Sequence, residues 1–369
     1  MKVVLDSNII IADFWLETTN FMLLFESANK GDVMIYITEV VLDEVVNKFS
    51  KRLEDSERKI DSELNAFNKL TREKEKNPLT KAMIDKSVSS YQKHLRKIVK
   101  DNSINVIKYP KTDHKFLANK AINKIKPFNS NEKGYRDCLI WENIKELLTD
   151  SESAVSQPEL VFISNNYKDF ATSEYELHPD LVSELENEDY DSKSIIVYPS
   201  LSEFNDKQTK LFFAQSESFE KKLKQKELWN FDLHTVITDY LFDKYVGSEL
   251  FESDEEREYD SSEPTVNSIY DDFEEKIISV KKLNATDFLV DVEFDVNTMI
   301  DFFIEKSEYW SMEDTKHISI QDSDWNKWVM LAETEILVSM SMSLIVDNDL
   351  NVKSCQINKI NKNYAQHFV

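Results

Sequence analysis

Three carboxylates stand where a sequence seldom leaves one without a use. Asp6 directly follows the apolar run Val3, Val4 and Leu5. Glu44 sits at the edge of an apolar stripe made by Val41, Leu42, Val45, Val46 and Phe49. Asp137 precedes Ile140 by three residues and Trp141 by four, so it projects toward the apolar side of a helix. A carboxylate beside an apolar face is costly unless it is paired, hydrogen-bonded or bound to a metal. Asn166 and Asp169 follow another apolar run, Leu160–Ile163, and add oxygen donors. Such a set suits one or two hard divalent cations, Mg²⁺ or Mn²⁺, which prefer carboxylate and water oxygens. Metals held in this way activate water and neutralise charge on a scissile phosphate. Each acid also has a plainer reading: Asp6 as a helix cap, Glu44 in a salt bridge to a nearby lysine, Asp137 as a complement to a helix dipole.

The elements that must position these acids alternate between strand and helix. Fully apolar runs at Val3 to Leu5 and Leu160–Ile163 read as buried parallel strands, and Val33, Ile35 and Ile37, Ile104 to Tyr109 and Ile195–Tyr198 add further strands. Between them lie a helix from Thr18 or Thr19 to Gly31, one from about Glu39 through Phe49, and one from about Gly134 to Leu148. In an open parallel sheet the carboxyl ends of the strands share one edge, where ligands bind. Asp6, Glu44 and Asp137, with Asn166 or Asp169, would meet there.

Residues 50 to 100 read as two long polar helices joined near Asn77 and Pro78, a hairpin standing off the domain. A basic segment follows, with Lys111, Lys115, Lys120, Lys124, Lys126, Lys133 and Arg136 interleaved with Tyr109, Phe116, Phe128 and Tyr135. Lysines with intervening aromatics suit a groove that tracks phosphates and stacks bases. A solvated lysine-rich face is the plainer reading.

Charge sharpens this point. The 369 residues carry a formal charge of −24, yet residues 47 to 136 hold 23 Lys and Arg against 11 Asp and Glu. One strongly basic segment lies inside an acidic protein. The chain is long enough for two or three domains. No apolar run approaches the roughly 18 residues of a membrane span, and the first residues read as a strand, not a signal peptide. Cys138 and Cys355 are too few and too far apart for a disulfide framework or a cysteine metal cage, which makes a reducing, cytoplasmic setting the expectation. His114, His178, His234 and His317 show no metal-ligand spacing.

LDSN at Asp6 to Asn8, TEVVLDEV around Glu44, GYRDCLIW around Asp137 and FISNNYKDF from Phe162 to Phe170 occur in an order that resembles the PIN-domain nucleases, and in particular a bacterial PIN-like family with a long helical insertion. The resemblance covers roughly residues 1 to 205. It implies a Rossmann-like α/β fold and metal-dependent cleavage of single-stranded RNA or, less often, DNA. On the matching positions Asp6, Glu44 and Asp137 take the acidic metal sites, with Asn8 and Ser164 in support. Many PIN domains carry Asp where Asn166 stands. Here the fourth position rests on Asn166 with help from Asp169, or a second metal binds weakly.

The carboxyl half has a different style. The expected organisation is a PIN-like domain over 1–205 with its helical insertion at about 47–103, a helical and acidic linker over 206–275, and a β-rich accessory domain over 276–369. Residues 248 to 275 hold twelve Asp and Glu against Arg257 alone, the pattern of an exposed linker, with mimicry of nucleic acid as the sharper alternative. Strict alternation at Phe288 to Val296, and again at Ile336 to Val346, means antiparallel strands with one wet face. Tyr309, Trp310, Trp325 and Trp328 are expected to pack against that sheet rather than form a recognition surface. The expectation is therefore a Mg²⁺- or Mn²⁺-dependent nuclease acting on single-stranded nucleic acid, RNA favoured. A toxin or phage-defence role, a regulatory protein partner and self-association are left open. The alternative is a catalytically silent PIN-like module that binds RNA or protein.

Overall fold

A computed structural model describes residues 1–72, 74–128, 133–148, 158–172, 175–224, 232–249, 264–312 and 315–363. The chain divides into two compact units, Met1–Phe212 and Phe213–Val369.

In the first unit the apolar runs become a parallel sheet of order β3-β2-β1-β4-β5, with β1 (Lys2–Leu5) at its centre, β2 (Met34–Thr38) and β3 (Asn105–Ile107) to one side, and β4 (Leu160–Ile163) and β5 (Ile195–Tyr198) to the other. Val3, Val4, Leu5 and all four residues of β4 are buried, as strands covered on both faces must be. The chain leaves β1 toward β2, then crosses back to lay β4 on the other flank of β1. That reversal opens a crevice beyond the carboxyl ends of β1 and β4, the place where such sheets bind ligands.

Helices α1 (Ser7–Ala12) and α2 (Thr19–Asn29) link β1 to β2, and α3 (Glu39–Thr71) and α4 (Lys81–Asp101) form the hairpin between β2 and β3. The sequence suggests a break near residue 50, but α3 runs unbroken for 33 residues from its Thr38 cap. Its first turns pack on the sheet through Val40, Val41 and Val45, and Phe49 stacks on Tyr91 of α4 with ring centroids 4.1 Å apart. Farther out the hairpin exposes Phe67 and Leu70. After β3 come α5 (His114–Ile122) and α6 (Tyr135–Glu146), and after β4 come α7 (Tyr167–Phe170), α8 (Pro179–Asn187) and, past β5, α9 (Leu201–Lys207).

The second unit is an antiparallel sheet built on two long strands, β9 (Asp287–Glu305) and β11 (Val329–Asp347), paired without interruption from Glu305 opposite Val329 to Asp287 opposite Asp347. The alternation expected to stop at Val296 continues through Ile300, Phe302 and Ile304, which are buried. Short β6 (Ala214–Gln215) pairs with β8 (Lys276–Lys282), β7 (Thr265–Ile269) and β8 pair with β9, and β10 (Ser319–Asp322) and β12 (Val352–Asn363) pair with β11. The described part of 206–275 differs from a linker. Phe219 of α10 (Glu217–Lys224), Ile237 and Leu241 of α11 (Leu233–Lys244), and Val266 and Ile269 of β7 join the core of the second unit. The acidic run itself lies mostly at 250–263, outside the described residues. Trp310, Trp325 and Trp328, expected to pack, are exposed instead, Trp310 by 76%. They lie in and around α12 (Lys306–Ser311) and the segment before β11, where the local core of Phe302, Ile304, Ile318, Met330 and Ala332 is complete without them. No helix among the described residues is long and apolar enough to cross a membrane.

Candidate active site

Asp6 directly follows β1, and its amide donates to Ile163 O at 3.0 Å, carrying the β1–β4 pairing to the rim of the crevice. Its carboxylate is only 2% exposed and is fully engaged. Oδ1 accepts the Ser7 amide at 2.6 Å, so Asp6 does cap α1, while Oδ2 accepts Ser164 Oγ at 2.5 Å and Asn8 Nδ2 at 2.9 Å. Burial pushes this carboxyl above its ordinary range. The donors on Ser164 and Ser7 pull it back, and the charge of Glu44 pushes it up again.

Ser164, the first residue past β4, is the hub. Its Oγ also accepts the Asn166 amide at 3.0 Å and Asn8 Nδ2 at 3.3 Å, and Asn8 Oδ1 accepts the Asn165 amide at 3.0 Å. Asn8 and Ser164 thereby tie the β1 end to the β4 end. From there Asn166 Nδ2 reaches Asp137 Oδ2 at 3.5 Å, the outer limit of a hydrogen bond. One polar chain thus runs Asp6, Ser164, Asn166, Asp137.

Asp137 is fixed by a backbone constraint that its acid spacing does not reveal. Gly134 caps α6 at φ +126°, where L side chains are strained, and a Cβ there would lie 2.4 Å from Pro127 O and 2.9 Å from Phe128 Cα. The close approach sets the entry of α6 and the direction of its first turn. The Asp137 carboxyl is pushed up to about 7, first by burial and then by the charges of Asp6, Asp169 and Glu44, against which Arg136 pulls it down. Four acids therefore share one electrostatic neighbourhood.

Two of the four are neutralised by cations from the basic segment: Glu44 is ion-paired with Arg136, and Asp169 Oδ1 accepts from Lys126 Nζ at 2.6 Å. In donor chemistry the set fits a hard divalent cation, since every group offered is a carboxylate or amide oxygen. In spacing, no group of three Asp, Glu, His or Cys among the described residues is gathered closely enough to hold an ion.

The basic segment is divided. Lys111, Lys115, Lys124, Lys133 and Arg136 are exposed, as are Tyr109 and Tyr135 beside them. Lys120 is not on that surface. Its side chain is 4% exposed and its Nζ donates to Glu184 at 2.6 Å, while Lys145, 7% exposed, bonds Glu184 at 2.7 Å and Glu188 at 2.8 Å. Both ammonium groups lie over the ring of Phe116, and Phe128 is buried. These internal pairs join α5, α6 and α8, and Glu184 was not among the residues that sequence spacing singled out. Only the i, i+3 step from Glu142 to Lys145 could have signalled the cluster.

A family model described as PIN domain matches residues 3–170. None of the curated proteins compared with the chain matches it, and no solved structure does.

Proposed function

On the match of residues 3–170 to a family model described as PIN domain, we propose that the chain is a PIN-type, metal-dependent phosphodiester hydrolase acting on single-stranded nucleic acid, RNA in preference to DNA. The observation that carries this reading is the hydrogen-bonded chain from Asp6 through Ser164 and Asn166 to Asp137, at the crevice where the sheet order reverses.

Asp6, Glu44 and Asp137 would hold one or two Mg²⁺ or Mn²⁺ ions, with Asn166 and Asp169 as further oxygen donors. Such a metal, when bound, supplies an activated water and neutralises charge on the phosphate. The chain's own residues do the rest. Ser164 and Asn8 hold the Asp6 carboxylate in one orientation and leave it little freedom to lose on binding. Asp137 keeps its proton below about pH 7 and must release it before it can serve as a ligand. Lys111, Lys115, Lys124 and Lys133 provide exposed positive charge for the phosphate backbone, and Tyr109 and Tyr135 offer faces for stacking.

A second reading, a silent module that binds without cutting, is favoured by the ion pairs on Glu44 and Asp169. The two are separated by incubating the protein with end-labelled single-stranded RNA and DNA in Mn²⁺, Mg²⁺ or EDTA, beside Asp6→Asn and Asp137→Asn. The nuclease reading expects cleavage that EDTA and either substitution abolish. Binding with no cleavage in any metal favours the silent module, and cleavage that ignores EDTA overturns the assignment of the acids.

A further inference from the structure

We infer that Arg136 and Lys126 are internal counter-ions that give way when a divalent cation enters the acidic cluster and are thereby released to the nucleic-acid backbone, which couples metal binding to substrate binding. This rests on the reading of the cluster as a metal site. The Arg136–Glu44 pair differs from the structural pairs of the same unit, and Lys126–Asp169, with side chains 23% and 18% exposed, lies between the two kinds. Lys120 and Lys145 are sealed inside, with side chains 4% and 7% exposed, and Lys145 bonds several carboxylates at once. Arg136 is 57% exposed and reaches inward to a Glu44 side chain that is only 10% exposed. Breaking the first kind strands a buried charge, whereas Arg136 can swing into water at little cost.

Charge balance gives the exchange its direction. Asp6, Glu44, Asp137 and Asp169 repel one another, and two monovalent side chains offset part of that repulsion. One divalent ion replaces both, charge for charge, and it draws Glu44 and Asp169 toward Asp6 and Asp137. The exchange is consistent with the finding that, among the described residues, no three such groups are gathered while the side-chain cations hold Glu44 and Asp169. The freed guanidinium then lies next to exposed Tyr135, within the segment that carries Lys124 and Lys133. A guanidinium suits phosphate through its forked donors. By linkage, metal must tighten nucleic-acid binding and nucleic acid must tighten metal binding by the same factor.

The test measures binding, not turnover. Mn²⁺ affinity is followed calorimetrically for the full chain and for Arg136→Gln, Arg136→Lys, Lys126→Gln and Glu44→Gln, with folding checked by circular dichroism. Binding of a short single-stranded phosphorothioate oligonucleotide is measured with and without Mn²⁺ across a salt series. Removing a competing counter-ion should tighten Mn²⁺ by about two- to fivefold in Arg136→Gln, while Arg136→Lys stays near the parent. Release of two cations should steepen the salt slope of oligonucleotide binding by about 1.4 on adding Mn²⁺, and each neutral variant should lose about half of that increment. Glu44→Gln, which frees Arg136 permanently, should bind oligonucleotide more tightly than the parent in the absence of metal. If the parent binds Mn²⁺ but Arg136→Gln binds it no better and shows the full increment, the counter-ion exchange is overturned and the metal site stands. A parent that binds no Mn²⁺ overturns both.

Discussion

Ser164 Oγ donates to Asp6 Oδ2 at 2.5 Å, joining the carboxyl ends of two neighbouring parallel strands whose sequence positions are 158 apart. The hydroxyl is wholly buried, so no water can replace it once it is removed. Ser164→Ala therefore leaves a buried carboxylate short of a donor, at about 1–3 kcal/mol of stability. It also removes one of the bonds that restrain the Asp6 pKa, so the Asp6 carboxyl should move farther up. Denaturant unfolding should report the first effect, and a shift of the Mn²⁺-binding pH profile to higher pH the second. An unchanged profile would mean that Asp6 does not take part in metal binding.

Asp137 has the opposite pH linkage from a salt-bridged carboxylate. Its folded pKa of about 7 lies above the ordinary 3.8, so between these values the folded chain holds a proton that the unfolded chain has lost. Its contribution to stability is fully present below about pH 4, declines as pH rises, and levels off above about pH 7, a span of at most about 4 kcal/mol. Asp137→Asn removes that dependence. The difference in Tm, variant minus parent, should therefore grow from about pH 4 to about pH 8 in EDTA. Excess Mn²⁺ at the higher pH should reverse its sign, because only the parent gains a ligand.

The strand ends that frame this chemistry are legible in sequence because β1 and β4 are apolar on both faces and stop abruptly at Asp6 and Ser164. A polar residue after such a run has little choice but the rim of the sheet. The pairing of Arg136 with Glu44 is not legible, because 92 residues separate them and a charge run looks the same whether it faces water or a neighbouring acid. Lys120 shows the same limit: its sequence neighbours suit an exposed phosphate contact, yet Glu184 from a distant helix draws it inside. The exposed tryptophans of the second unit fail in the other direction, since hydrophobic type alone cannot show that the local core is already filled.

Gly134 is the position where a single methyl group should do most harm to the geometry of the acids. Gly134→Ala places a Cβ against the Pro127 and Phe128 backbone, which cannot move aside as a side chain tip can, and holds alanine at φ +126°. The backbone conformation alone costs about 1–3 kcal/mol. The first turn of α6 must then shift, and Asp137 with it. Mn²⁺ affinity measured where the variant is still fully folded should fall by more than in Gly31→Ala, a control with a positive φ but open space around it. Equal affinities would show that the entry of α6 does not position Asp137.

Lys120 and Lys111 should separate structure from recognition within one basic segment. Lys120→Ala removes one of the two buried cations that hold the Glu184 carboxylate and leaves Lys145 as its partner. Burial pushes that carboxyl up, but Lys120 and Lys145 outweigh the burial and hold it below its ordinary range. Leaving a buried charge uncompensated costs about 3–5 kcal/mol; with Lys145 still in place the loss should be smaller than that, greatest at neutral pH and shrinking as acid protonates Glu184. Because the ammonium faces inward, the oligonucleotide affinity of the folded fraction should not change. Lys111→Ala removes an exposed charge, should alter stability by no more than about 0.5 kcal/mol, and should reduce the salt slope by about 0.7 if that lysine meets a phosphate. Thermal unfolding and salt-dependent binding on the two variants measure these quantities side by side. A salt slope lowered by Lys120→Ala and untouched by Lys111→Ala would contradict the division of the segment drawn from their exposure.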